Sequence, residues 1–292
     1  MTRVGPAGWA YKDWNGIVYP AKRPRGFHEA TYLADFFDTI EINVSFYRPI
    51  SAKNAESWVK KIERNSRFRF TAKLWRGFTH ERTAGSSDER EFKDGFIPLL
   101  EAGRLGGLLM QFPWSFRNSD ESREYVARLS AQFADFPLVL EVRHGSWAEP
   151  GVLDFLDQLG IGLCNIDQPL FKRSIKPSAV ATSAVGYIRL HGRNYKSWFT
   201  ENKHVGERYD YLYTPEELDP WVDRIKAVEQ AAADTYVVTN NHYLGKAIVN
   251  AAEISSILKG GRVPAPLSLV QHYPELRSYT TPVDESGQLR IG

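Results

Sequence analysis

Apolar residues along this chain follow two alternating rhythms. Eight short runs rich in Val, Ile, Leu and aromatics occur at Val4–Trp9, Thr39–Tyr47, Phe68–Trp75, Gly107–Phe112, Leu138–His144, Ile161–Asp167, Gly186–Gly192 and Thr235–Asn241. Their length and composition predict strands. Between them lie stretches with apolar residues at helical spacing: Phe27–Phe37, Lys53–Arg64, Glu89–Leu100, Ser119–Phe133, Gly151–Leu159, Thr214–Ala232 and Gly245–Leu258. Thr214, Pro215 and Glu217 supply an N-cap, a proline at the first helical position and a capping-box acid, and Gly260-Gly261 supplies a stop. Strand alternating with helix throughout predicts a parallel sheet covered by helices. Eight such units predict an α/β fold, a TIM (β/α)8 barrel, as a single domain over residues 1–261, with 262–292 as a C-terminal extension packed on the barrel or trailing from it. A doubly wound open sheet is the competing architecture.

Within the strands, the phase of the polar residues carries the functional signal, because successive side chains point to opposite faces. Glu41, Asn43, Ser45 and Tyr47 share one face of the second run, and Tyr187, Arg189, His191 and Arg193 share one face of the seventh. Glu141 and Arg143 alternate with Leu140 and Val142 in the fifth; the third offers Lys73 and the fourth Gln111. The sixth run puts Leu163, Asn165 and Asp167 on one face and Cys164 on the other. The outward face of a barrel strand meets helices and must be apolar, so the polar sets are expected to point inward and Cys164 outward. They gather at the C-terminal strand ends, where barrel active sites form.

Composition narrows the field without naming a substrate. With 37 Lys plus Arg against 35 Asp plus Glu, the net charge of +2 speaks against a strongly basic nucleic-acid binder but permits a local basic cleft. A single cysteine excludes an intrachain disulfide framework and fits a reducing compartment. No apolar run is long enough to span a membrane, and the start has no signal-peptide core, so a cytoplasmic protein without membrane contact is expected. Burying unpaired charge costs several kcal/mol, so the inward cluster implies compensating charges, water, a metal or a ligand.

The cluster predicts an anion pocket, with Lys73, Arg143, Arg189, Arg193, Asn240 and Asn241 holding a small anionic ligand or phosphoester substrate. Glu41, Glu141 and His191 are the expected proton carriers, with Asp167 orienting a base or binding a metal. Glu41, Glu141, Asp167 and His191 also form an oxygen and nitrogen set of the kind that holds Zn or Mn, so a divalent metal stays open as a cofactor. Three rival readings remain: a self-neutralising ion-pair network, a glycoside-type hydrolase using two carboxylates, and a non-catalytic module for single-stranded nucleic acid. The last would use aromatics of the long connections Trp9–Phe27 and Asn194–Tyr213, among them Tyr11, Trp14, Trp198, Phe199, Tyr209, Tyr211 and Tyr213. Gly103–Gly107 is no phosphate loop, and neither Ser45 nor Ser146 sits in a nucleophile elbow.

Several motifs also carry a family resemblance. Gly5-Pro6-Ala7-Gly8-Trp9-Ala10-Tyr11, Glu41-Ile42-Asn43-Val44-Ser45-Phe46-Tyr47-Arg48, Phe70-Thr71-Ala72-Lys73, Gln111-Phe112-Pro113, Glu141-Val142-Arg143-His144-Gly145-Ser146-Trp147, Arg189-Leu190-His191-Gly192-Arg193 and Asn240-Asn241 occur in that order. Together they resemble the YecE-like family, domain of unknown function 72, over about residues 4–260. The resemblance implies a TIM barrel and no established activity. Pro6-Ala7 stand where the family often has a hydroxyl residue before the Gly-Trp pair.

Overall fold

The computed structural model describes residues 1–195 and 207–284. Eight parallel strands, β1 (Thr2–Pro6), β2 (Thr39–Ile42), β3 (Arg69–Lys73), β4 (Leu105–Gln111), β5 (Leu138–Glu141), β6 (Gly162–Asp167), β7 (Val185–Leu190) and β8 (Asp234–Thr239), form one sheet in the order β1-β8-β7-β6-β5-β4-β3-β2. The two ends of that sheet meet: Ala7 bridges Glu41, and the Gly8 N–H donates to the Glu41 carbonyl at 2.9 Å. The result is a nearly closed barrel, as the alternation of strand and helix predicts. The expected helices form as Glu29–Ala34, Ala52–Lys61, Ser86–Glu101, Asp120–Gln132, Val152–Gln158, Pro215–Ala231 and Lys246–Lys259. At the start of the longest of them the Glu217 carboxylate accepts the Thr214 N–H at 3.1 Å, the half of the capping box the sequence announces.

Residues paired in a parallel ladder point to the same side of the sheet, so the register identifies the interior set. Glu41 aligns with Thr71 and Thr71 with Gly107; Gln111 aligns with Glu141; Cys164 aligns with Tyr187, and Ile166 with Arg189. Tyr187 reaches across the barrel from β7 to within 3.0 Å of Glu41 Oε2 and 2.8 Å of Thr71 Oγ1. Glycine on β4 makes that crossing possible. A Cβ on Gly106 would lie 2.0 Å from the Tyr236 hydroxyl, and one on Gly107 would press the Tyr187 ring at 3.2 Å. The ladder between β3 and β4 skips Gly106, a bulge of the kind that re-aims side chains in barrels. On the other face Ile40, Ile42, Phe70, Ala72, Leu108, Met110, Leu140, Ile188 and Leu190 are buried, which is the hydrophobic contact that holds helices on the sheet.

Three expectations are corrected here. The second run does not continue as a strand to Tyr47: it ends at Ile42 and Val44–Tyr47 turns into one helical turn. Asn43, Ser45 and Tyr47 therefore leave the Glu41 face. Ser45 instead donates to the carbonyls of Ile42 and Lys73. Second, helix does not follow every strand, because residues 168–184 between β6 and β7 contain none. Third, β6 has the opposite phase to the one expected, with Cys164 and Ile166 inward and Leu163, Asn165 and Asp167 outward. The second correction explains the outward turn of Asn165. A non-helical segment lying on the outer face of β6 has backbone groups that need partners, and Asn165 supplies them. Its Nδ2 donates to the Val180 carbonyl at 2.8 Å, and its Oδ1 accepts from Val180 N–H and the Ser178 hydroxyl.

The C-terminal segment adds a short parallel pair, β9 (Val263–Pro266) and β10 (Thr280–Val283), joined through the helix Leu267–His272. Leu269, Val270 and Leu276 are buried, and the Tyr273 hydroxyl donates to the Leu244 carbonyl at 2.8 Å. Through residue 284 the extension is packed on the barrel.

Candidate functional site

The C-terminal ends of β2, β3, β5 and β7 bring their charged residues into one cup. At its floor lies Arg189, fully buried, whose guanidinium joins two equally buried carboxylates from different strands: one terminal nitrogen is 2.8 Å from Glu41 and the other 2.5 Å from Glu141. The second of these nitrogens also donates to Gln111 Oε1 at 3.2 Å. A planar fork gripping two carboxylates is the geometry for which arginine is suited and lysine is not. Above this floor Arg143 meets the other Glu141 oxygen at 2.7 Å, and Lys73 Nζ stands 3.6 Å from Glu41 Oε1. The side chains of Arg143 and Lys73 keep 15% and 13% of their surface accessible, so they form the rim of the cup and Arg189 its base.

Electrostatics sort these groups. Burial alone would raise the Glu141 pKa, but Arg189, then His191 and Arg143, outweigh it and hold the carboxyl well below the usual range. Burial likewise opposes the charge on Arg189, and Glu141 and Glu41 more than restore it. His191 lies with Nε2 3.2 Å from Glu141 Oε1 and Nδ1 3.0 Å from the Asn240 amide. Burial pulls its pKa down to about 3, against the attraction of Glu141, so the ring is neutral. Nε2 also lies 3.3 Å from Arg143 and 3.5 Å from Arg189, so the ring is held among Glu141, Asn240 and both arginines. Lys73 is pulled down to about 8, first by burial and then by Arg189, with Glu41 and Glu141 opposing.

Three groups at the rim, His80, Phe46 and Arg76, belong to turns where a period-two pattern gives no direction. His80 packs edge-on against Phe46 with ring centroids 4.9 Å apart, and burial, Arg76 and Arg143 bring its pKa down to about 4. Phe46 in turn lies under Lys73, 5.7 Å from Nζ, and under Arg76 at 6.0 Å. Phe46 is missed from the sequence because its strand was expected to continue. Arg76 is missed because it opens a helical turn, Arg76–Thr79, directly after β3.

The remaining expected site residues go elsewhere. Asp167, on the outer side of β6, accepts from Arg193 at 2.9 and 3.2 Å, and Arg193 continues to Glu217 at 3.2 Å. Burial raises the Asp167 pKa against the pull of Arg193 and Tyr213. Tyr211 donates to Glu217 and the Gly192 N–H donates to Tyr213, so this set ties residues 192–193 and 211–213 to the start of the helix Pro215–Ala231. Asn241 is buried between the Tyr211 carbonyl and Asn250. Asp167, Arg193 and Asn241 are thus loop anchors, and Arg189 is sealed beneath the cup. Cys164, expected to face outward, faces the interior, where burial raises its thiol pKa well above the ordinary value. Among the described residues no group of three or more His, Cys, Asp or Glu side chains is placed to hold a metal ion. The Glu41 and Glu141 oxygens that a metal would need are taken by Arg189, Arg143, His191 and Tyr187.

The aromatics split similarly. Trp14 donates its indole N–H to the His242 carbonyl, Trp147 donates to the Phe116 carbonyl, and Trp9 packs on Trp58 and Phe70, so these are core elements. Tyr11 stacks on His242 with ring centroids 4.2 Å apart, and Tyr209 flanks the same ring at 4.8 Å. Trp198 and Phe199 lie outside the described residues.

Comparison with known proteins agrees with the motifs on which this cup is built. The model of the family described as "Protein of unknown function DUF72" matches residues 3–271. The chain belongs to the DUF72 family. A curated relative, the UPF0759 protein YunF of Bacillus subtilis (strain 168), is 30% identical over 287 residues, covering 92% of this chain and all of that one. A solved DUF72 family protein from Thermotoga maritima MSB8 shares 31% identity with a TM-score of 0.76, covering 89% of this chain and 99% of that one. A DUF72 family protein from Enterococcus faecalis V583 shares the fold at 24% identity and a TM-score of 0.77, over 89% and 96% of the two chains. The DUF72 match runs past residue 261 into the C-terminal extension. Among the described residues no helix is long and apolar enough to cross a membrane.

Proposed function

We propose that this DUF72 barrel is an enzyme acting on a small anionic substrate, of the phosphoester class, bound at the C-terminal mouth. The observation that supports this reading is the charge balance of the cup. Among its described groups, three cations (Lys73, Arg143, Arg189) face two carboxylates (Glu41, Glu141), and His191 is kept neutral. The positive charge in excess sits on the rim, where Lys73 and Arg143 meet solvent, while the negative charge is buried. An incoming anion would meet its countercharge already oriented, with the carboxylate floor fixed by Arg189 and therefore needing no reorganisation. In this arrangement Arg143 holds the anion, and Glu41, buried with its oxygens held by Arg189 and Tyr187, exchanges protons with the substrate only through Lys73 beside it. Asn240 and Glu141 orient His191, which lines the cup as a neutral hydrogen-bonding group.

Calorimetric titration with inorganic phosphate tests the reading. Saturable binding is expected, weakened by about tenfold or more in Arg143→Ala, equivalent to roughly 1.4 kcal/mol, with the thermal transition little changed. No binding to the native protein, or equal binding by Arg143→Ala, would contradict it.

A further inference from the structure

Lys73 stands apart from the other cations of the cup. Arg189 and Arg143 each contact a carboxylate oxygen at 2.5 to 2.8 Å, whereas Lys73 Nζ reaches only to 3.6 Å from Glu41, on an oxygen that Arg189 already holds. The ammonium also lies over the face of Phe46. The stem is enclosed, and the amine is delivered by the last residue of β3 to the open end of the barrel. An amine so placed has weak countercharge and a nearby carboxylate to take its proton, which are the conditions under which a lysine acts as a nucleophile.

We infer that Lys73 forms a covalent imine with the carbonyl carbon of an anionic aldehyde or ketone bound in the cup. This rests on the anion-site reading above and adds the substrate's second functional group. The Lys73 ammonium passes a proton to Glu41, and the free amine attacks the carbonyl carbon, forming a carbon–nitrogen bond as the carbonyl π pair moves to oxygen. The resulting carbinolamine oxygen takes up the amine's second proton and then the proton held on Glu41. The carbon–oxygen bond breaks and water leaves, so that ammonium plus carbonyl gives iminium plus water, and no oxidant or reductant is consumed. Arg143 lies across the cup to hold the anionic end. The groups facing Lys73 agree with an amine that loses its proton readily: Arg189 and Arg143 disfavour its charge, Glu41 and Glu141 favour it, burial disfavours it, and the balance brings it to about 8.

Reductive trapping on the full-length protein tests the inference. Glycolaldehyde phosphate is the probe, sodium borohydride the reductant, and the adduct is mapped by peptide mass spectrometry. The expected result is one saturable adduct on Lys73, suppressed by excess inorganic phosphate and absent from Lys73→Arg, whose thermal transition confirms folding. Native protein that binds the probe calorimetrically but yields no adduct on Lys73, or only adducts scattered over surface lysines, overturns the imine while leaving the anion site standing. Protein that neither binds phosphate nor forms the adduct overturns both. If Lys73→Arg fails to fold, loss of phosphate protection at Lys73 in Arg143→Ala supplies the same discrimination, and an adduct there indifferent to phosphate would count against the inference.

Discussion

Arg189 decides whether the floor of the cup is an asset or a liability to folding. It is buried completely with Glu41 and Glu141, so each carboxylate depends on it for its charge partner. Arg189→Met leaves two carboxylates in the interior with only the rim cations to balance them. Breaking a buried pair in this way costs about 3–5 kcal/mol, measurable as a lowered denaturant midpoint. Replacing all three together, as Arg189→Met with Glu41→Gln and Glu141→Gln, should recover most of that loss, since no uncompensated charge remains. If the single and triple variants lose stability equally, the network is not holding charge in balance. At this scale the sequence was informative: Glu41, Lys73, Glu141, Arg189 and His191 were all legible as inward-facing from alternation alone. What alternation could not rank was reach. It treated Arg189 and Arg143 as equivalent anion binders, although one lies a layer below the other and is used up by carboxylates.

At the scale of elements, the period-two argument held where the outer face of the strand is apolar and failed on β6, where irregular backbone lies against it. On β2, β5 and β7 the outward residues Ile40, Ile42, Leu140, Ile188 and Leu190 are apolar and buried, so polarity reports the interior. On β6 residues 168–184 lie on part of the outer face, irregular backbone that demands polar partners, and Asn165 turns outward to serve it. Asn165 was misplaced for that reason, whereas Asp167 turns outward to Arg193, after β7. Failure to see the turn at Asn43 has a different cause: Val44, Phe46 and Tyr47 have strand-like side chains, and the single helical turn they form is set by the barrel rim. Asn165 then carries a prediction. Asn165→Ala strips hydrogen bonds from the Val180 N–H and carbonyl, at a cost of about 1–3 kcal/mol. Hydrogen–deuterium exchange should rise over residues 178–182 while the far side of the barrel stays protected. Uniform exchange across the molecule, or no change at 178–182, would argue against this anchoring role.

Across the whole molecule, the eight-strand order was legible because each strand is a separate apolar run, and the closing contact of Ala7 with Glu41 follows from that count. Closure matters to chemistry, since it brings β2 within reach of β7 and lets Tyr187 and Arg189 bond to Glu41 across the interior. A cup made this way is closed beneath by Arg189 and cationic at the rim, where Lys73 ends β3 and Arg143 follows β5. Beside this cup, Asp167, Arg193, Glu217 and Tyr211 form a separate bonded set that joins the end of β6 to the start of the helix Pro215–Ala231. The most direct measurement is an anomalous-difference map from crystals soaked in tungstate, a heavy analogue of phosphate. Its predicted strongest peak lies between Arg143 and Lys73, above the Arg189 floor. A strongest peak at Arg193 or on the outer surface, with the cup holding none, would contradict the account.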